Sequence, residues 1–379
     1  MTKKILIILV VPVLMFSCKT KKTAEKDVII KQRNTEARED SVKMAEALHL
    51  QSKFENITTA DFETTAVESL SGEDAADDPA IWVNQTNPEK SLVIGTNKKA
   101  GLYVYDLKGN QLQFLKAGNI NNVDLRDGFK YGEKEVAIVV GSNRSLNTIS
   151  IFYIDHETGI LSDTIQNIVS AVDEVYGICM YKNYNNEYFV FVNGKGGVIE
   201  QWQLIFDNNE IKAELLRNFS VNSQPEGMVV DDKAGILYLG VEEEGILKTD
   251  ANAQTETKVE WIAGSDSTNT DIAYDIEGLA LYHTEDKTYL VASIQGSFSY
   301  AIFETGNPDK YLTSFIVANG VVDGIEETDG IDIVNAPLNE KFPKGLFVAQ
   351  DGFNYQGDSM INQNFKYVSW EKIEQFISK

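Results

Sequence analysis

From Ala66 onward the chain is written in short runs of β-branched and aromatic residues separated by Gly, Asn and Asp clusters, the pattern of many short strands. No long helical period competes with it. The runs recur in units with a period of about 50 residues, the scale of propeller blades. Each unit opens on an acidic or Gly-containing phrase leading into an apolar strand: Asp77-Asp78-Pro79-Ala80-Ile81-Trp82, Val123-Asp124-Leu125-Arg126-Asp127-Gly128, Val175-Tyr176-Gly177-Ile178, Pro225-Glu226-Gly227-Met228, Asp275-Ile276-Glu277-Gly278-Leu279 and Thr328-Asp329-Gly330-Ile331-Asp332. A second strand then ends in a polar phrase: Gly95-Thr96-Asn97-Lys98-Lys99, Gly141-Ser142-Asn143-Arg144, Asn193-Gly194-Lys195, Gly240-Val241-Glu242-Glu243-Glu244, Ser293-Ile294-Gln295-Gly296 and Ala349-Gln350-Asp351-Gly352. Third strands such as Leu102-Tyr103-Val104-Tyr105 follow. Six such units predict an all-β fold, a six-bladed β-propeller of mostly four-stranded antiparallel blades around a central channel. One blade cannot bury both of its faces, and a ring closes the stack. A β-sandwich array is the weaker alternative, because it does not call for the same phrases in every unit.

Upstream, Lys3 and Lys4 precede an apolar run, Ile5 to Phe16, too short to span a bilayer and arranged as an export signal. Leu14-Met15-Phe16-Ser17-Cys18 resembles a lipobox, in which Cys18 becomes the lipidated first residue; an ordinary cleaved signal peptide is the alternative. Residues 1–18 therefore read as a lipoprotein signal peptide, 19–65 as a polar spacer and 66–379 as the propeller. The reading implies an exported protein, lipid-anchored to the periplasmic or cell-surface face of a bacterial membrane. The other cysteine, Cys179, lies in an apolar run and reads as a small core residue.

Charge narrows the partners. Lys and Arg number 34 against 57 Asp and Glu, a net charge of −23, which disfavours nucleic acid and anionic lipid surfaces. In a blade the first strand is antiparallel to the second, so the opening and closing phrases meet at one mouth of the channel. There Asp78, Glu226, Glu242, Asp275, Glu277, Asp323 and Asp329, with Gln295 and the Tyr176 oxygen, offer hard oxygen ligands and no nearby imidazole or thiolate. That set suits Ca²⁺ better than zinc or copper, and several ions would relieve the repulsion among the acids. Lys98, Lys99, Arg144 and Lys195 close the first three units. Cations beside metal-filled carboxylates fit a polyphosphate substrate. The three histidines, His49, His156 and His283, lie in no nucleophilic phosphatase motif.

The phrases around Asp77-Asp78-Pro79-Ala80-Ile81-Trp82-Val83, Thr96-Asn97-Lys98-Lys99, Ser142-Asn143-Arg144, Asp275-Ile276-Glu277-Gly278-Leu279, Thr328-Asp329-Gly330-Ile331-Asp332, Phe347-Val348-Ala349-Gln350-Asp351-Gly352 and Asn362-Gln363-Asn364-Phe365-Lys366 resemble, in order, those of the β-propeller phytases. The resemblance implies a 3-phytase-like phosphoric monoester hydrolase, a monomer acting on phytate or its calcium salt, with a calcium-activated water as the attacking group. It makes Lys98, Lys99, Arg144 and Lys195 phosphate-binding cations. Tyr176, Glu226, Glu242, Asp275, Glu277, Gln295, Asp323, Asp329 and Asp78 become calcium ligands or their neighbours. Two departures stand out: Gly196 follows Lys195 where the family usually has an acid, and the acidic turn Glu242-Glu243-Glu244-Gly245 is shorter by about one residue. A calcium-dependent lactonase and a noncatalytic calcium-dependent binding propeller remain as alternatives; the first has no use for the cations, and the second keeps the fold and ligands without turnover.

Overall fold

The computed structural model of the protein describes residues 41–70 and 73–377. The chain divides into two compact units, Met1–Glu46 and Ala47–Lys379. Of the first, residues 41–46 are described and are helical. Cys18, the stretch read as a signal peptide and the first part of the stretch read as a spacer lie outside the described residues. Among the described residues no helix is long and apolar enough to cross a membrane.

The second unit is the expected six-bladed propeller. Blade one is Ala76–Trp82, Leu92–Asn97, Gly101–Tyr105 and Gln111–Leu115, and blade two is Ile120–Tyr131, Lys134–Asn143, Thr148–Asp155 and Gln166–Val169. Blade three is Val175–Lys182, Tyr188–Gly194, Val198–Asp207 and Glu210–Ser220, and blade four is Pro225–Asp231, Ile236–Val241, Gly245–Asp250 and Glu260–Trp261. Blade five is Ile276–His283, Thr288–Ile294, Ser299–Glu304 and Lys310–Ala318. Blade six takes Ile331–Val334, Leu346–Asp351 and Asn364–Ser369 from the end of the chain and its fourth strand, Phe62–Glu63, from the beginning. The six first strands touch one another in a closed ring.

Burial follows this order. Second strands such as Tyr188–Gly194 are buried at every position, whereas the outermost strand of blade one, Gln111–Leu115, is mostly exposed. The core is divided into six clusters among the described residues, one between each pair of neighbouring blades. Each blade thus buries both faces only through its neighbours, and the ring stabilises all of them together.

The closing strand falls inside the stretch read as spacer, as does Ile57–Thr59, which adds a parallel fifth strand to blade five. The sheets therefore begin before residue 66. Glu63 of the closing strand reaches the ammonium of Lys366, a fully buried side chain that also meets Asp351 at 3.2 Å, Asn354 Oδ1 at 3.1 Å and the carboxylate of Asp323. A short helix, Trp370–Ile377, covers blades five and six, with Trp370 stacked on Tyr282 at 3.9 Å between ring centres.

Candidate active site

In blades one to five the first strand carries one extra residue near its start. Ala76 and Pro79 pair with Asn97 and Gly95, three steps against two, and the same shift recurs at Ile120/Val123, Val175/Ile178, Pro225/Met228 and Ile276/Leu279. Such a bulge re-aims the side chain at its first position. The equivalent residues are Asp77, Asn121, Tyr176, Glu226 and Glu277, and in blade six Asp329, two residues before the strand that begins at Ile331. The Gly that follows in blades three to five is required by close approach. A Cβ on Gly177 would lie 2.0 Å from the Glu226 carbonyl oxygen, and one on Gly227 2.0 Å from that of Glu277. The opening of blade two is therefore Ile120-Asn121-Asn122-Val123, three residues before the acidic phrase that the sequence pattern singled out.

These residues converge. Carboxylate oxygens of Glu226, Glu242 and Glu277 lie within 4.8 Å of one another. Glu226 and Glu277 are buried, Glu242 is half-buried, and Glu277 Oε2 has no hydrogen-bond partner. Burial, and after it the charges of Glu226 and Asp275, push the Glu242 carboxyl up to about 7 against a lowering hydrogen bond from Gln224. Burial and then Glu226 raise Glu277 well above the usual carboxylate range, and burial also raises Asp77, against the lowering charge of Lys98. Asp329 is pushed up to about 6 by burial, although Lys98 lowers it. Protons or cations must therefore neutralise part of this cluster.

The cations divide between these acids and the Tyr176 ring. Lys98 Nζ lies 2.8 Å from Asp74, 3.0 Å from Asp77 and 2.9 Å from Asp329, and Gln295 Nε2 donates to Asp329 Oδ1 at 2.9 Å. Burial alone would lower the Lys98 ammonium, but Asp329, Asp77 and Asp74 outweigh it and raise it. Lys195 Nζ sits 4.6 Å and the Arg144 guanidinium 5.9 Å from the centre of the Tyr176 ring, within cation–π range. Burial, then Glu226, Glu277 and Asp77, raise the Tyr176 hydroxyl, which stays protonated. Arg144 Nε donates to Glu174 Oε1 at 2.9 Å, and Lys195 Nζ is 4.0 Å from the same oxygen. Lys99 is exposed.

Two residues expected among the metal ligands lie elsewhere. The second bulge position of blade one turns Asp78 towards blade two, where its Oδ2 accepts the Val123 N–H at 3.0 Å. Asp323 neutralises buried Lys366 and accepts the Tyr355 N–H at 2.6 Å. At the Gly196 departure, the Gly196 N–H donates to Asp173 Oδ1 at 3.3 Å, so an acid from the preceding loop stands beside Lys195. Asn121, Asp77, Asp74, Glu174 and Gln224 also belong to the site and escaped the sequence reading. Aligning the units on the bulge rather than on the acidic phrase would have found the first two. The histidines stay apart from the site: His156 pairs with Asp127 and stacks on Trp82, and His283 Nδ1 meets Thr288.

A family model described as Phytase matches residues 34–379. The chain is 42% identical over 330 residues to a 3-phytase of Bacillus subtilis strain 168, covering 85% of both chains. Two solved structures are more distant. One, a functionally unknown protein from Desulfotomaculum acetoxidans, is 18% identical with a TM-score of 0.41 and covers 65% of this chain and 74% of its own. The other, from Lactobacillus plantarum, is 11% identical with a TM-score of 0.47 and covers 76% and 87%. With a family match over nearly the whole described chain and a relative of this identity, the chain belongs to the phytase family.

Proposed function

We propose that the protein releases inorganic phosphate from phytate, myo-inositol hexakisphosphate, at the channel mouth, with Ca²⁺ held by Glu226, Glu242 and Glu277. Family membership and the 3-phytase relative support phytate hydrolysis. The observation that carries the calcium reading is the triad of carboxylates within 4.8 Å, one of whose oxygens, Glu277 Oε2, is buried without a partner. All-oxygen donors of this kind fit a hard divalent ion, with Asp275 and Gln295 at the edge of the same cluster. Bound there, calcium would supply positive charge to the phosphate oxygens and lower the cost of ionising an attacking water.

The protein's own groups do the rest. Arg144, with its fork of donors, and Lys195 hold phosphate oxygens over the face of Tyr176, while exposed Lys99 meets a further phosphate of the same substrate. Lys98, fixed by three carboxylates, keeps a positive charge in a buried position beside the acids, where charge developing on the phosphoryl oxygens and on the departing inositol oxygen is stabilised most. No side chain acts as a nucleophile, so the phosphoryl group passes directly to water: the new bond from the water oxygen to phosphorus forms as the bond to the inositol oxygen breaks, and the proton that the water loses balances the one that the inositol hydroxyl gains. A panel of phytate, a simple aryl phosphate and a lactone, each with Ca²⁺, tests the reading. Phosphate release is expected to be fastest from phytate, whose several phosphates engage both parts of the site, with no lactone opening. Lactone hydrolysis without phosphate release would overturn it.

A further inference from the structure

We propose that Asn121 is a positioning residue that locks the Arg144 guanidinium to the acids of the site; the inference rests on the phosphate-binding role of Arg144 given above. Of the six equivalent positions, four carry acids, Asp77, Glu226, Glu277 and Asp329, and one carries Tyr176, whereas blade two alone presents a side-chain amide. That amide is fully buried. Its Oδ1 accepts from Arg144 Nη1 at 3.2 Å, and its Nδ2 faces Glu226 Oε1 at 3.0 Å, Asp77 Oδ1 at 3.3 Å and Asn122 Oδ1 at 2.9 Å.

An amide has one acceptor oxygen and two donor hydrogens, and here the ends are sorted by charge, oxygen to guanidinium and nitrogen to carboxylates. The reverse orientation would set like partial charges together on both sides, so the neighbours dictate the orientation. Blade four and blade one acids and the blade two arginine are thus joined through one side chain. Among the described residues the other hydrogen-bond partner of the guanidinium is Glu174, whose side chain is 43% exposed. Without Asn121 the guanidinium is free to follow Glu174 outward, away from the acids. An aspartate would keep the oxygen for Arg144 but set another negative charge against Glu226 and Asp77.

Kinetics on phytate at saturating Ca²⁺, with Asn121→Ala, Asn121→Asp, Arg144→Ala and the double variant Asn121→Ala/Arg144→Ala, test this, with melting temperatures measured for each. Loss of one charge-assisted hydrogen bond is expected to raise KM roughly tenfold in Asn121→Ala. In the Arg144→Ala background the same change is expected to leave KM unmoved, because its effect runs through the arginine. Asn121→Asp is expected to keep KM close to wild type while kcat falls roughly tenfold or more. A scaffold role alone would lower the melting temperature and raise KM equally in both backgrounds, and that result overturns the inference, as does an unchanged KM in Asn121→Ala. Should Asn121→Ala fail to fold, the split between KM and kcat in Asn121→Asp decides, and KM and kcat moving together would refute it. If Arg144→Ala alone leaves KM unchanged, the phosphate-binding reading of Arg144 fails first, and the inference fails with it.

Discussion

Chelation is expected to lower phosphate release from phytate by at least about a hundredfold, the order of effect of removing one strong electrostatic stabiliser from an active site. Calcium in excess should restore it in full. The reason lies in the sign of the field. The chain carries a net charge of −23, and at the mouth Glu226, Glu277 and Asp77 are buried together. A substrate bearing several phosphates is repelled by that cluster unless divalent charge inverts its field. Mg²⁺ is expected to restore much less, because it demands near-ideal octahedral geometry and dehydrates reluctantly. Undiminished hydrolysis in excess chelator, measured as phosphate released per minute, would remove the metal from the account.

The largest effect on stability is expected at Lys366. Its side chain is fully buried, as is that of Asp351, and its ammonium also answers Glu63 of the closing strand and Asp323. Lys366→Met keeps the apolar stem and deletes the charge, leaving a buried carboxylate uncompensated, which costs about 3–5 kcal/mol when one partner of such a pair is removed. Burial already holds Asp351 at about 7 even with Lys366 present as a lowering charge. In the variant Asp351 keeps its proton to still higher pH, so the deficit should shrink as pH falls below 6 and the lost partner matters less. Urea titrations of both proteins at pH 5 and pH 8 check this; equal midpoints at pH 8 would show that the lysine does not hold the ring closed.

Six blades are legible in the sequence because a short opening phrase recurs before the first strand's apolar run; it marks the bulge in blades one to five, and a glycine follows that position in blades three to six. The parts that are not legible have physical causes. Phe62–Glu63 and Ile57–Thr59 are too short to show a period-two pattern, and their partners lie some 300 and 260 residues away along the chain. Blade two was read three residues late because its bulge carries Asn121-Asn122, and a search for acids passes over amides. Asp77 and Asp78 are adjacent in the chain, yet the bulge sends one to Lys98 and the other to the Val123 N–H. No spacing rule separates them. Asp323 looked like a ligand because nothing in the chain near it announces Lys366. The cation cluster was legible as a set, but not the division between Lys98, sunk among three carboxylates, and Arg144 and Lys195, which lie by Tyr176.

Counting the protons released when Ca²⁺ is titrated into chelator-treated protein, in weakly buffered solution at pH 6 and again at pH 9, tests the metal reading most directly. Carboxyls raised in the folded protein hold protons above their ordinary range, and a divalent ion can bind them only as those protons leave. Glu242 at about 7 and Asp329 at about 6, with Glu277 higher still than ordinary acids, are expected to give up about one proton or more per protein at pH 6 and fewer at pH 9, with tighter binding at the higher pH. Glu242→Gln should reduce the count at pH 6. Calcium that binds with no proton release at either pH, or equally well after Glu226, Glu242 and Glu277 are all changed to Gln, would contradict the account.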